Sequence, residues 1–303
     1  NGLEYRYGVL LATVTQNVRD GLRASVEVGR SSFSDGLLAL SVMQAGAPGG
    51  TEVNFNTAVA WFDLRAGWRA AHVNANGTLA AGASSGVEQS MLTKLGAGRY
   101  RLDLGVDSRT DGMLFAIGNN NSNIVVQAGV MDDGSGWDLR VHHNAATHSN
   151  TGLDRDFSFL YLPFDTARLV GGVYDGAADA HVASAGDFTM NRLSTGVYEL
   201  TIPGESPETG MLILTVAGRT NESGVVAPDD NLLSYEPSGT GTFLINSVDL
   251  PSVTLQDTKF AWAFISFESP ITADLARVPE PTALGLLCVA VSIASWRRHR
   301  RGR

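Results

Sequence analysis

The chain has 303 residues, 44% of them hydrophobic and only 17% charged, which is enough apolar material for more than one buried core. Five of the 22 basic residues lie at the C-terminus, so residues 1–279 hold 17 basic and 30 acidic side chains and a net charge of −13. An acidic body repels phosphate backbones, which argues against nucleic acid as a partner.

The two ends of the chain set further limits. The single cysteine, Cys288, cannot build an intrachain disulfide or a thiolate metal site. The first residues, Asn1-Gly2-Leu3-Glu4, begin without Met and without the basic and apolar pattern of a signal peptide. We therefore interpret the start as truncated or processed.

One sequence pattern occurs three times in the body. Each copy has an alternating apolar segment, a polar turn and a second apolar run that opens on Gly-Leu or Gly-Met. Alternation with a period of two, followed by a turn and a return, predicts a β-hairpin with one buried face. The copies are RASVEVGRSSFSDGLLALSV at 23–42, RYRLDLGVDSRTDGMLFAIG at 99–118 and VYELTIPGESPETGMLILTV at 197–216.

A second element recurs downstream of each copy, and its copies lie 102 and 103 residues apart. It consists of a phenylalanine, six residues, a second phenylalanine and an acid. Its aromatic and β-branched composition suits a central strand. A spacing of seven places the two rings on opposite faces, so we expect a bulge or burial on both faces. The copies are Phe55 to Phe62-Asp63, Phe157 to Phe164-Asp165 and Phe260 to Phe267-Glu268.

Together the two patterns predict an all-β fold of tandem antiparallel β-sandwich-like units of about 100 residues, followed by a single C-terminal hydrophobic helix. The polar, Asn- and Gly-rich inserts 119–150 and 217–242 are predicted to be loops. The first unit is incomplete, which agrees with a truncated start. The predicted segments are 1–68, 69–169 and 170–275 for the three units and 278–303 for the C-terminal signal.

The first motif with possible chemistry is Gly82-Ala83-Ser84-Ser85-Gly86, which has the spacing of a nucleophile elbow. Such an elbow joins a strand to a helix, and no alternation of strands and helices surrounds this one. We therefore interpret it as a loop.

Asp132, Asp133 and Asp138 flank a Gly-Ser-Gly turn and are weak candidates for calcium, which binds six to eight oxygen ligands. Their spacing fits no EF-hand loop. Hairpin turns use Asp, Gly and Ser for backbone reasons, so a plain turn is the favoured interpretation.

His142, His143 and His148 form a cluster that suggests zinc. Adjacent strand residues point to opposite faces, so His142 and His143 cannot easily share one metal ion, and we favour a solvated strand end. No catalytic residue and no cofactor is predicted. A hydrolase using Ser84 or this cluster ranks below the other hypotheses.

The tail has a different composition from the body. From Thr282 to Trp296 there are fifteen uncharged residues, which as a helix would be about 22 Å long and short against a hydrocarbon core of ~30 Å. Trp296 and the arginines that follow favour a membrane anchor with a cytoplasmic C-terminus. The anchor includes Thr282, Leu286, Cys288 and Trp296, and the basic cluster includes Arg297, Arg298, Arg300 and Arg301.

Val278-Pro279-Glu280-Pro281, the short apolar run and the terminal arginine cluster together resemble the PEP-CTERM sorting signal of exported bacterial proteins. The resemblance covers the last 26 residues, and the chain departs from the family in beginning without a signal peptide. It implies processing by exosortase, a membrane-embedded enzyme, with Pro279, Glu280 and Pro281 as the recognition element and the apolar run as a transient anchor. It also implies a surface or matrix protein of bacteria that make exopolysaccharide.

The leading hypothesis is therefore a non-enzymatic exported protein that is membrane-anchored during sorting and then lies at the cell surface or outside the cell. The expected partners are an exosortase-type enzyme, the membrane and exopolysaccharide. The alternative is a glycan- or calcium-dependent binding module that uses the two inserts, with Trp137 and Tyr235 as stacking platforms.

Overall fold

A computed structural model describes residues 5–15, 24–30, 38–44, 55–119, 123–144, 152–222, 225–238, 241–250 and 252–273. Residues 1–273 group as one unit and residues 274–303 as another. Four features of the sequence analysis lie outside the described residues. They are the motif Pro279-Glu280-Pro281, the apolar run, the arginine cluster and His148. Within the described ranges, no helix has the length and apolarity needed to cross a membrane.

The described residues form an all-β fold, as the alternating patterns predict. The first four strands are β1 (Gly8–Val14), β2 (Ala24–Arg30), β3 (Leu38–Gln44) and β4 (Thr57–Asp63). The next eight are β5 (Arg69–Val73), β6 (Leu79–Ser85), β7 (Leu92–Gly96), β8 (Arg99–Leu102), β9 (Gly112–Asn119), β10 (Ile124–Val130), β11 (Trp137–His143) and β12 (Phe157–Pro163). The others are β13 (Val170–Asp175), β14 (Ala180–Ala185), β15 (Thr189–Ser194), β16 (Val197–Thr201), β17 (Gly210–Val216), β18 (Arg219–Glu222), β19 (Val225–Pro228), β20 (Leu232–Ser238), β21 (Thr242–Val248) and β22 (Lys259–Ser266). Short 3-10 turns lie at Tyr5–Tyr7, Leu64–Ala66 and Gln89–Met91.

Strands β5 to β12 build a β-sandwich. One sheet has the order β9-β12-β5-β6 and the other the order β10-β11-β8-β7. Large aromatic side chains fill the space between them, among them Tyr100, Trp137, Phe157 and Phe159. Burial of rings of this size is the main source of stability in such a core.

Strands β13 to β22 repeat this arrangement. One sheet has the order β17-β22-β13-β14 and the other the order β20-β21-β16-β15, while β18 and β19 form a separate hairpin. Each strand of the first sandwich thus has a counterpart in the second at the same place in its sheet. The second core contains Tyr174, Tyr198, Phe243, Phe260 and Trp262.

The first four strands extend one sheet of each sandwich. Strand β2 pairs in parallel with β9, at Glu27 opposite Gly118, and carries β3 on its other side. Strand β1 pairs in parallel with β20, at Val14 opposite Ser234, and carries β4. They therefore cover strand edges that would otherwise remain open.

A third core joins the first strands to both sandwiches. Ala60 of β4, Leu162 of β12 and Ile265 of β22 all belong to it. These three residues occupy equivalent positions in the repeated Phe element. The faces of the three copies that carry these residues therefore meet in one apolar cluster.

The predicted burial on both faces is confirmed for the strands of the second and third copies, although the second phenylalanine of the third copy, Phe267, follows β22 and is 57% exposed. Six of the seven residues of β12 and six of the eight of β22 are buried. One face of each strand packs into its own sandwich and the other into the third core.

The predicted hairpin forms in the first copy of the pattern, where β2 pairs antiparallel with β3. It is wrong for the other two. Strand β8 pairs with β7 and β11, whereas β9 pairs with β12 and β2; β16 and β17 likewise lie in opposite sheets. The connection over 103–111 is long enough to cross the ~10 Å between stacked sheets.

The prediction of long loops at 119–150 and 217–242 is also wrong. The first insert contains β10 and β11, and the second contains β18, β19 and β20. The run Ile124-Val125-Val126 is β-branched throughout, which favours a strand even though polar residues surround it.

Candidate functional site

Ser84 lies in an edge strand and not in the predicted loop. Strand β6 pairs with β5, with Ser84 opposite Ala71. The segment after it leads to the 3-10 turn at Gln89–Met91 and not to a helix. The geometry of a nucleophile elbow is therefore missing at this serine.

His142 is fully buried, so the prediction of a solvated strand end is wrong for it, whereas His143 is exposed. Nε2 of His142 lies 2.8 Å from Oε1 of Gln127, and Nδ1 of His142 lies 2.8 Å from the backbone oxygen of His143. Gln127 in turn donates to the backbone oxygen of Asn231 at 3.0 Å. The histidine thus anchors a polar link between β10 and the start of β20.

The three candidate calcium ligands have other partners. Oδ2 of Asp138 lies 3.5 Å from Nη2 of Arg219 and 3.9 Å from Nη2 of Arg99, while Asp132 lies 3.5 Å from Nη1 of Arg219. Asp133 accepts hydrogen bonds within its own turn. Burial raises the pKa of Asp138, although Arg99, Arg219 and Arg140 oppose this rise. Across the described ranges, no group of three or more His, Cys, Asp or Glu side chains is placed to hold a metal ion.

The two predicted stacking platforms are core residues. Trp137 is 1% exposed and meets Tyr161 edge-on at 5.6 Å, and Tyr235 is 4% exposed and packs against Phe243. Neither ring faces solvent, so neither can stack on a sugar. The prediction failed because each aromatic residue starts or fills a strand inside an insert that looked like a loop.

A contact between a serine and a histidine lies in the interior. Nδ1 of His72 contacts the Ser158 hydroxyl, Nε2 faces the backbone oxygen of Gly8 at 2.9 Å, and Asn119 donates to the same hydroxyl at 2.7 Å. His72 and Ser158 are each 1% exposed. The network ties β1, β5, β9 and β12 together, and the fold of the described residues buries this hydroxyl away from solvent.

A carboxylate clamp is present in both sandwiches. Asp257 accepts from Arg192 Nε at 3.0 Å, Arg192 Nη2 at 2.6 Å, the Gly196 backbone N–H at 2.8 Å and the Tyr198 hydroxyl at 2.9 Å. Gly196 has a φ of +66°, and an added Cβ would lie 2.6 Å from the Ser247 oxygen. The turn therefore needs glycine, and the aspartate holds it in place.

The counterpart in the first sandwich is Asp154. It accepts from the Gly98 backbone N–H at 2.9 Å and pairs with Lys94 Nζ at 2.8 Å. The sequence signals are an aspartate three residues before the Phe strand and the pattern Lys/Arg-Leu-x-x-Gly-x-Tyr in the hairpin. Both were missed because the two parts of the clamp are about 60 residues apart in the chain.

A cleft of about 190 Å³ opens between the two sandwiches. One wall comes from the turn before β9 and from the end of β10, and the other comes from β13, β14 and the start of β22. Of the residues singled out from the sequence, Asp132 alone lines it. The lining residues are Ser108, Arg109, Val130, Met131, Asp132, Val173, Val182 and Lys259.

The charged groups of the cleft are paired. Arg109 Nη2 lies 2.7 Å from Asp107 Oδ2, and Lys259 Nζ lies 3.3 Å from Asp175 Oδ2. Hydrogen bonds from the Arg109 side chain hold the pKa of Asp107 at about 2, well below its usual value. Arg109 also donates to the backbone oxygen of Asp132 at 3.3 Å. The cleft therefore has fixed donors and acceptors at its rim and little net charge.

Ser108 is the exception in the cleft. Its side chain is fully buried, and its hydroxyl has no hydrogen-bond partner in the described structure. The equivalent serine of the second sandwich, Ser206, donates to Glu208 Oε2 at 2.6 Å. The equivalent turns of the two sandwiches thus differ: the Ser206 hydroxyl has a hydrogen-bond partner and the Ser108 hydroxyl has none in the described structure.

No protein-family model, curated protein or solved structure matches this chain. The function proposed below is therefore inferred from the chain's own residues.

Proposed function

We propose that this protein is an exported bacterial surface or matrix protein of structural and interaction type, sorted by its C-terminal signal. The observation that supports this proposal is the tail, which begins after residue 273, where the unit that contains the β-sheets ends. Pro279-Glu280-Pro281 would be recognised by an exosortase-type enzyme, and a single helix over 282–296 would anchor the chain in the membrane. The arginines at 297–301 would hold its C-terminus in the cytoplasm.

The body supports this proposal in two ways. Its two sandwiches have large apolar cores of their own, so the body, which contains no cysteine, is compatible with an exported protein without a disulfide. Its repeated architecture suits a structural role, and we propose three tandem units, 1–68, 69–169 and 170–275, as the organisation behind it. We propose exopolysaccharide as its surroundings after sorting.

The test is replacement of Pro279, Glu280 and Pro281 by alanine in the natural gene, expressed in its native host. We expect the parent protein to lose its C-terminal residues and leave the membrane fraction, and the variant to keep Arg303 and stay in that fraction. Intact mass and fractionation measure both. Glu268→Ala, at an exposed acid before the tail, is the matched control and should behave as the parent. A parent protein found in the cytoplasm with Arg303 intact would overturn the proposal.

As an alternative we propose binding of a glycan, for which the cleft between the sandwiches would be the place. The version of this hypothesis that uses Trp137 and Tyr235 is not retained, because both rings are buried. Calcium dependence is not retained either, because Arg219 pairs with both Asp132 and Asp138.

A further inference from the structure

We propose that two copies of this chain associate through strands β3 and β4 and complete a third β-sandwich between them. Each of these strands ends one of the two six-stranded sheets, and within the described ranges no strand is hydrogen-bonded to its outer side. An open strand edge is a template for pairing with another chain. The two complete sandwiches indicate which kind of strand these edges accept.

Strands β1 to β4 correspond to one half of each complete sandwich. Strand β1 pairs antiparallel with β4 and β2 with β3, as β9 does with β12 and β10 with β11. The same pairs in the second sandwich are β17 with β22 and β20 with β21. Strands β2, β3 and β4 each have seven residues, as do β10, β11 and β12. We therefore call β1 to β4 the half-sandwich.

The half-sandwich also has the same neighbours as its two counterparts. Strands β1, β9 and β17 are equivalent, and so are β2, β10 and β20. Each strand of the first kind lies beside one of the second kind from a different half: β9 beside β2, β1 beside β20 and β17 beside β10. In the last case the Val130 N–H donates to the Ala217 oxygen at 3.0 Å. The three halves are therefore arranged in the same way around the third core.

The inner face of the half-sandwich is less covered in the described structure than that of a complete sandwich. Phe159 and Tyr161 of β12 point into the first sandwich and are 0% and 2% exposed. Val59 and Trp61 of β4 alternate with residues buried in the third core, so they point to the opposite face, and both are only half-buried. Covering this face would bury apolar surface, which is the main driving force for association.

A second copy of the chain offers strands with the required direction. In the complete first sandwich, the junctions that are open in the half-sandwich are both antiparallel, β12 with β5 and β11 with β8. A twofold rotation about an axis normal to the sheets places β4 antiparallel to the same strand of the other copy, and β3 likewise. The resulting sandwich has four strands of alternating direction in each sheet, as the complete sandwiches have. Such a contact between identical surfaces closes on itself as a dimer.

The charge of the two edges allows identical surfaces to meet. The sequence of β3, LALSVMQ, contains no charged residue and no proline, the two features that commonly protect an open edge. The one charged residue of β4 is Asp63, which lies 2.6 Å from Arg65 Nη2 of the same chain. Like charges opposite each other would destabilise a strand pair, and these edges bring few of them together.

The test measures the molar mass of the full chain by light scattering in detergent, with the mass of the bound detergent subtracted. We expect a dimer of about 64 kDa, twice the 32.1 kDa of the chain, at a protein concentration of about 20 μM, as for a Kd of about 1 μM. Val59→Lys should give a monomer with the circular dichroism spectrum of the parent, because an inward-pointing lysine on an edge strand prevents pairing. Val182→Lys, at a site 44% exposed on the edge strand β14, is the matched control and should remain a dimer.

A second variant tests the other sheet. Val42→Lys, at a half-buried position of β3, should also give a monomer. The proposal is overturned if the parent is a monomer at this concentration, which would leave the two edges to a different protein. It is also overturned if the dimer persists in both edge variants, because the tail or another surface would then hold it. This test is independent of the sorting signal, whose processing is measured in cells.

Discussion

Replacement of Trp137 by alanine is expected to lower the free energy of unfolding by about 4 kcal/mol. The indole is 1% exposed and packs between the sheets of the first sandwich, edge-on to Tyr161. Its removal would leave a cavity at the start of β11, and the surrounding sheets can close such a cavity only in part. Urea denaturation followed by far-UV circular dichroism measures the change.

Leu95→Ala is the control, because Leu95 is 54% exposed and its truncation should change stability by less than about 0.5 kcal/mol. A Trp137→Ala protein with the parent's denaturation midpoint would show that the ring is not part of the core. The prediction also bears on binding assays: if Trp137→Ala lost affinity for a glycan, the loss would report unfolding and not a missing stacking platform.

Strands β8 and β9 illustrate why the sequence predicts the fold class but not the arrangement of the strands. Period-two alternation and the spacing of the Phe element are local signals, so they predicted an all-β chain and the burial of β12 and β22 on both faces. Whether two neighbouring runs pair with each other depends on the connection between them and on competing partners. Strands β8 and β9 each have better partners in opposite sheets, and no local pattern records this.

The candidate site was harder to predict, because its residues share no motif. Ser108 and Arg109, Val130 to Asp132, Val173, Val182 and Lys259 come from distant parts of the chain, and the fold alone brings them together. Asp132 was noticed for its neighbours in the sequence and not for its place in the cleft. Whether the Ser108 hydroxyl has a hydrogen-bond partner depends on the atoms that the fold places around it, which the sequence does not give.

Asp257→Ala removes the acceptor of the second clamp and is expected to lower the free energy of unfolding by about 3 kcal/mol. The change would leave the Tyr198 hydroxyl, the Gly196 N–H and the Arg192 guanidinium without their common acceptor. Tyr198 is fully buried, so its hydroxyl cannot turn to water without movement of the core. Urea denaturation of parent and variant at pH 7 measures the loss.

Asp154→Ala is the matched control from the other sandwich, and it should cost about 1 kcal/mol. The Asp154 side chain is 45% exposed, and it holds one lysine and one backbone N–H, whereas the Asp257 side chain is 17% exposed. Equal losses for the two variants would contradict the argument, because it ties the cost to the number of buried groups that lose an acceptor.

The clamp also predicts how this difference depends on pH. Burial raises the pKa of Asp257, but hydrogen bonds from Arg192, Gly196 and Tyr198 outweigh it and hold the pKa below its usual value. A carboxyl whose pKa is lower in the folded state than in the unfolded state, where it is about 3.9, stabilises the fold above that pH. This stabilisation is lost as the pH falls through the folded-state pKa. The gap in unfolding free energy between parent and Asp257→Ala should therefore stay constant from about pH 7 to 5 and shrink below about pH 4. A gap that widens on acidification would show that Asp257 is held in its neutral form and that the clamp is not ionic.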